Sequence, residues 1–75
     1  MNPEQSQTNT IAGTTFDPLE LARIVRPTEA ARITGRSKTS LWRDVKAGRL
    51  EAPLKLGPRS IGWRLRTLLT AYGED

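Results

Sequence analysis

A glycine and a serine stand two positions apart in "ITGRSKTSLW", residues 33–42, within a stretch whose other residues favour helix. Gly35 suits the end of a helix, because glycine adopts a positive φ without a steric penalty. Ser37 suits the start of the next helix, because its hydroxyl can accept a hydrogen bond from a free N–H group of the first turn. Two helices joined by about three residues are typical of a helix-turn-helix, so this pair constrains the fold more than any other feature.

The two helices can be bounded from the residues around this turn. Pro27 and Thr28 favour a helix start, and Glu29 complements the helix dipole in the first turn, so the first helix is predicted over residues 28–34. The second helix is predicted over Lys38–Ala47, with Gly48 ending it.

A projection of the second helix at about 100° per residue separates two faces. Leu41 and Val45 fall together and are expected to pack on the first helix. The opposite, outward face carries Lys38, Thr39, Trp42, Arg43 and Lys46. Hydroxyls and long cations in this position can reach base edges and phosphates of a major groove, although an ordinary amphipathic helix with a basic solvent face would show the same pattern.

Residues 50–66 have the pattern of a short β-hairpin. Apolar residues alternate on both sides of the turn sequence "GPRS", whose exposed tip is Arg59. A hairpin this short is not stable alone, so its apolar side chains are expected to pack on the helices: Leu54, Leu56, Ile61 and Trp63. The hairpin would form a wing beside the second helix. Trp42 either fills the space between wing and helix or stacks on a sugar of a bound nucleic acid.

The two ends of the chain differ from this centre. Residues 1–22 are rich in polar residues without a sustained period and are predicted to form a disordered or loosely held N-terminal arm. The end of this arm could dock through its apolar residues: Phe16, Leu19, Leu21 and Ile24. A last helix is predicted over residues 66–72, ending at Gly73, and residues 23–73 would form one winged helix-turn-helix domain that is mainly α-helical.

The charge of the chain is concentrated at its centre. Residues 26–66 contain eleven Lys or Arg and three acidic residues, a net charge of +8, whereas the whole chain carries +4. A surface that binds phosphates needs such a basic centre, but a solvated surface that keeps a small protein soluble would also have one.

Composition excludes several classes of function. The chain has no cysteine and no histidine, which removes disulfides, thiolate metal sites and nucleophile pairs that depend on imidazole. With 75 residues a deep catalytic cleft is not expected, so we predict neither an enzyme nor a bound cofactor or metal. No apolar run approaches the roughly 20 residues of a membrane span, and the N-terminus does not resemble a signal peptide, which favours the cytoplasm.

Residues 29–64 resemble the AlpA family of small phage and prophage regulators, which are similar to excisionases and to the winged-helix head of MerR-type proteins. The resemblance is carried by "TGRS", "TSLWR", Gly48-x-Leu-x-x-Pro53 and "KLGPRSIGWR". It implies that a recognition helix and a wing contact DNA through Lys38, Thr39, Ser40, Arg43, Lys46, Arg59 and Arg64. Arg36 stands where the family usually has an aliphatic residue, so it either adds a phosphate contact or loosens the turn.

Three functions remain open at this point. The first is a sequence-specific double-stranded DNA-binding protein that regulates transcription on a phage or mobile element, with further copies of itself on adjacent sites. The second is an excisionase that bends DNA and recruits an integrase. The third is a protein-interaction module whose basic surface binds an acidic partner.

Overall fold

The computed structural model describes residues 9–74 of the chain. Its elements in chain order are β1 (Thr10–Ile11), β2 (Thr14–Thr15), a short 3-10 helix (Pro18–Glu20), β3 (Ile24–Val25), α1 (Pro27–Thr34), α2 (Lys38–Ala47), β4 (Leu54–Lys55), β5 (Ile61–Arg64) and α3 (Leu65–Tyr72). The result is three helices combined with two small antiparallel sheets, a mixed α/β fold.

The turn between α1 and α2 has the predicted construction. Gly35 has a φ of 71°, and its N–H donates to the carbonyl of Ala31, which closes α1. Ser37 precedes α2, and its Oγ accepts from the N–H of Ser40 at 3.0 Å. Gly48, with a φ of 84°, ends α2. The predicted bounds of α2 are therefore confirmed, and those of α1 differ by one residue at its start.

The predicted hairpin is confirmed and has a third strand that the sequence did not indicate. β4 and β5 pair antiparallel with Lys55 opposite Ile61, and β3 pairs with the other edge of β5, with Val25 opposite Trp63. The strand order is β3-β5-β4. β3 has only two residues, too few to show an alternating pattern.

One hydrophobic core connects the sheet to the helices. Its buried apolar residues are Ile11, Val25, Ala30, Leu41, Leu50, Trp63, Leu65 and Leu68. Trp63 is 1% exposed, and its Nε1–H donates to the carbonyl of Glu51 at 2.7 Å, which confirms it as a core residue.

Two leucines of the hairpin do not join this core. Leu54 and Leu56 are each 43% exposed, so the expectation that they pack on the helices is wrong. Leu54 lies directly opposite Gly62, and side chains alternate between the faces of a sheet. Both leucines therefore lie on the face opposite Trp63, and it is the Trp63 face that faces the core.

The N-terminal segment is folded over most of the part expected to be a disordered arm. β1 and β2 form a hairpin through Ala12 and Gly13, whose φ angles are 49° and 84°, and Ile11 is buried in the core. The N–H of Glu74 donates to the carbonyl of Thr10 at 2.7 Å, which joins this hairpin to the chain after α3. The expectation of disorder is wrong for residues 10–22, and residues 1–8 lie outside the described part.

The apolar residues near the end of the arm differ in whether they pack against the core. Phe16 and Leu21 pack against the core, whereas Leu19 is 91% exposed and does not dock. Ile24 belongs to β3. In the part of the chain that is described, no helix has the length and apolar character to cross a membrane.

The last helix begins one residue before the predicted start, directly after β5. Gly73 follows α3 with a φ of −64°, so it does not use the left-handed conformation that ends α1 and α2. Its N–H still donates to the carbonyl of Leu69 at 2.7 Å and so satisfies one of the last carbonyls of the helix.

Candidate nucleic-acid interface

The outward face of α2 is exposed along its length. Lys38, Thr39, Arg43 and Lys46 are all exposed, whereas Leu41 on the other side is fully buried. Ser40 is half-buried, and its hydroxyl accepts from Ser37 Oγ at 3.1 Å, which leaves its own proton able to donate outward. The structure thus brings the predicted residues of α2 together on one accessible surface.

Trp42 lies between this surface and the sheet. Its ring centroid is 5.7 Å from that of Trp63, at an angle of 50°, and the side chain remains 39% exposed. A tilted pair at this distance is a favourable aromatic contact. Of the two roles open for Trp42, packing between the helix and the hairpin is the one that this geometry supports.

The hairpin separates its two predicted residues. Arg59 is exposed in the turn between β4 and β5, residues 57–60. Arg64 is at the other end of β5 and lies on the sheet face opposite Trp63, because side chains alternate along the strand. The structure therefore does not bring Arg64 together with Arg59 or with Trp42, which packs on the Trp63 face.

Arg26, the residue immediately before α1, was not predicted as a site residue from the sequence. The Nη2 of Arg26 donates to Ser60 Oγ in the hairpin turn at 3.4 Å, and Lys38 Nζ donates to Thr28 Oγ1 at 3.4 Å. Arg26 and Thr28 are two positions apart, so the start of α1 lies between the hairpin turn and the start of α2. The only signal in the sequence was an arginine immediately before the helix.

Arg36 is bound within the protein. Its Nη1 is 3.6 Å from Asp44 Oδ2, and its guanidinium lies 4.8 Å from the centroid of the Tyr72 ring. Asp44 is 5% exposed at the back of α2. The predicted phosphate contact competes with these interactions, and the guanidinium of Arg36 instead helps to neutralise a buried carboxylate.

The carboxylate of Asp44 has two further partners. Arg49 Nε donates to Oδ1 at 3.1 Å, Arg49 Nη2 forms an ion pair with the same oxygen at 3.0 Å, and the hydroxyl of Tyr72 donates to Oδ2 at 2.5 Å. A nearly buried carboxylate is stable only with such partners. Because Tyr72 belongs to α3, this cluster fixes the back of α2 to the last helix and so sets the orientation of its outward face.

The pKa values of the cluster follow from these contacts. The hydrogen bond from Tyr72 and the charges of Arg49 and Arg36 hold the pKa of Asp44 below its ordinary value, against the opposing effect of desolvation. Burial, followed by the hydrogen bond to Asp44, raises the pKa of Tyr72 to about 12. At neutral pH Asp44 is therefore ionised and Tyr72 is protonated, the states that this hydrogen bond requires.

The ion pairs divide the cations of residues 9–74 into two groups. Arg23 pairs with Glu20 and Glu29, and Arg36 and Arg49 pair with Asp44. The cations of the α2 face and of the hairpin turn take part in none of these pairs. Residues 9–74 also hold no group of His, Cys, Asp or Glu side chains that could bind a metal ion.

The comparisons with known proteins give one result. The family model described as prophage CP4-57 regulatory protein (AlpA) matches residues 23–67, more than half of the chain. The match extends from just before β3 to the first turn of α3, so it contains every residue of the outward face, the hairpin and the Asp44 side of α2. The chain has no significant match among curated proteins or among solved structures.

Proposed function

The chain belongs to the AlpA family of prophage regulatory proteins, and we propose that it regulates transcription by binding a specific site on double-stranded DNA through a winged helix-turn-helix. The observation that carries this proposal is the outward face of α2. Its cations and the hydroxyl of Thr39 are exposed, and Arg59 presents a further cation from the neighbouring hairpin turn. In this proposal α2 is the recognition helix and the β4–β5 hairpin is the wing.

The side chains on the outward face of α2 and in the wing turn differ in which part of the DNA they would contact, bases or phosphates. Arg43, in the middle of α2, has the fork of donors that suits a guanine edge, and each such bidentate contact is worth about 1–3 kcal/mol of discrimination. Thr39 and Ser40 offer hydroxyls to bases or phosphates. Lys38, near the helix start, and Arg59, in the wing turn, suit phosphates, which supply affinity without sequence information.

The size of the surface limits what one copy can do. α2 has ten residues, which corresponds to a length of about 15 Å, so one copy would read a few base pairs of one major groove. Single modules of this kind have small interfaces. We therefore propose that two or more copies occupy adjacent sites in the cytoplasm, where the DNA of a prophage is located.

The test is a nuclease footprint of the purified protein on the DNA that flanks its gene, at two salt concentrations and with nonspecific competitor. Protection that survives competitor and overlaps a promoter would support a transcriptional regulator. Arg43→Ala should abolish this protection while leaving nonspecific binding, and Arg66→Ala, which removes an exposed cation from α3, is the matched control.

Two other results would redirect the assignment. Phased protected repeats beside an attachment site, together with altered excision by the cognate integrase, would indicate an excisionase. Absence of protection at both salt concentrations would contradict DNA binding at this locus and favour a protein-interaction module. Equal loss of specific and nonspecific binding in Arg43→Ala would contradict the base-reading role of Arg43.

A further inference from the structure

The start of α1 connects two parts of the proposed interface that are distant in sequence. Arg26 donates a hydrogen bond to Ser60 Oγ in the wing turn, and Lys38, in the first turn of α2, donates one to Thr28 Oγ1. Since Arg26 directly precedes α1 and Thr28 is its second residue, the path from wing to recognition helix is continuous over Ser60, Arg26, Thr28 and Lys38. A DNA strand that contacted both the wing turn and α2 would pass over this path.

The partners of the two cations leave their charges available. Arg26 and Lys38 donate to neutral hydroxyls, and both side chains are exposed. A guanidinium has five N–H donors and an ammonium three, so each retains donors beyond the bond described. The acidic residue of this turn, Glu29, accepts from Arg23 Nη1 at 3.0 Å and is neutralised there.

We infer that Arg26 forms, with Lys38, a site for the phosphodiester backbone of duplex DNA at the first turn of α1. The hydroxyls of Ser60 and Thr28 hold the two cations between the wing and α2. This inference rests on the proposed DNA binding and adds a contact that lies outside both α2 and the hairpin. Arg26 would contribute affinity and register, and it would not read bases.

The experiment measures binding of the full-length protein to a fluorescent duplex without a specific site, by anisotropy, over a range of salt concentrations. Each phosphate neutralised adds about 0.9 to the slope of log K against log salt concentration. Arg26→Gln should therefore lower the slope by about 0.9. Over a fourfold rise in salt, the unchanged protein should lose about 3.5-fold more affinity than the variant does.

The matched control is Arg66→Gln, which removes the same charge. Arg66 is exposed in α3, beyond the end of β5 that is far from Ser60. Its slope should equal that of the unchanged protein. Arg26→Lys, which keeps the charge, should also keep the slope, and this separates a phosphate contact from a structural role of the arginine.

The outcomes distinguish failure of DNA binding as a whole from failure of the Arg26 site alone. If the unchanged protein shows no salt-dependent binding, DNA binding and the Arg26 site both fail. If the unchanged protein binds but Arg26→Gln and Arg66→Gln have equal slopes, the site alone is overturned. If Arg26→Gln does not fold, as judged by circular dichroism, Lys38→Gln decides, because it removes the other charge of the site: its slope should fall by about 0.9, and a slope equal to that of Arg66→Gln would overturn the site.

Discussion

Gly62 offers a sharp test of the way the sheet is packed. It is buried in β5, and a methyl group added there would lie 2.7 Å from Cγ2 of Ile24 and 2.9 Å from the carbonyl oxygen of Val25. Both atoms belong to β3, and the second is backbone, so it cannot move without displacing the strand. Gly62→Ala should therefore disturb the β3–β5 pairing.

The size of the effect follows from the cost of overpacking. Extra methyl groups in a packed core typically destabilise by about 1–3 kcal/mol. For a domain of this size each kcal/mol corresponds to about 4–8 °C in Tm, so Gly62→Ala should lower Tm by roughly 4–24 °C. The assay is thermal unfolding followed by far-UV circular dichroism, at equal protein concentration.

Gly57 gives a control in the same hairpin. A methyl group there would meet only the Cβ of Ser60, at 4.0 Å, and its φ lies outside the left-handed region. Because alanine restricts the unfolded chain more than glycine does, Gly57→Ala should leave the free energy of unfolding unchanged or raise it by up to about 1 kcal/mol. Its Tm should therefore be equal to or slightly above that of the unchanged protein. Similar Tm values for the two variants would refute the close approach of β3 to β5.

The Asp44 cluster yields two further predictions. The chain has one tyrosine, so the absorbance of Tyr72 should titrate near pH 12 and not near pH 10. Because its pKa is raised, the contribution of Tyr72 to stability is complete below pH 10 and is lost as pH rises through about 12. A transition near pH 10 in the folded protein would contradict the buried hydrogen bond to Asp44. Arg36→Gln should lower Tm and leave the footprint intact, because the guanidinium of Arg36 pairs with Asp44. Arg43→Gln should weaken the footprint and change the free energy of unfolding by no more than about 0.5 kcal/mol. A footprint lost in Arg36→Gln at full stability would restore Arg36 as a DNA contact.

α1, α2 and the turn between them could be predicted because their determinants are local. Gly35 ends α1 through its own φ, and Ser37 caps a backbone group three residues away. The burial of Leu41 follows from the helical period. None of these features depends on a distant part of the chain, and all of them were therefore visible in the sequence.

The features that were missed depend on long-range contacts. Ile11 is buried because the β1–β2 hairpin is joined to Glu74, which is distant in sequence. Leu54 is exposed because its register opposite Gly62 places it on the outer face, and the alternation alone did not indicate which face would meet the helices. A two-residue strand such as β3 carries no periodic signal.

The candidate site shows the same division. The helical projection predicted the outward face of α2, but it could not predict which cations would pair with an acidic side chain. Asp44 could be placed beside Leu41 and Val45, yet its partner Tyr72 is 28 residues away, and nothing local indicates that Arg36 would turn toward the carboxylate. Charge counting treats Arg36 and Arg43 alike, whereas the fold separates them.

The distribution of cations now has a physical explanation that total charge does not supply. α2 buries one carboxylate at its back, and the cations nearest to that carboxylate, Arg36 and Arg49, are held there and stabilise the attachment of α2 to α3. The cations on its outward face have no such partner among the ion pairs of residues 9–74, and Arg26 extends their surface toward the hairpin turn. Binding strength should therefore follow the outward group, because the charge of a cation held at Asp44 is already neutralised there and is not offered to phosphate.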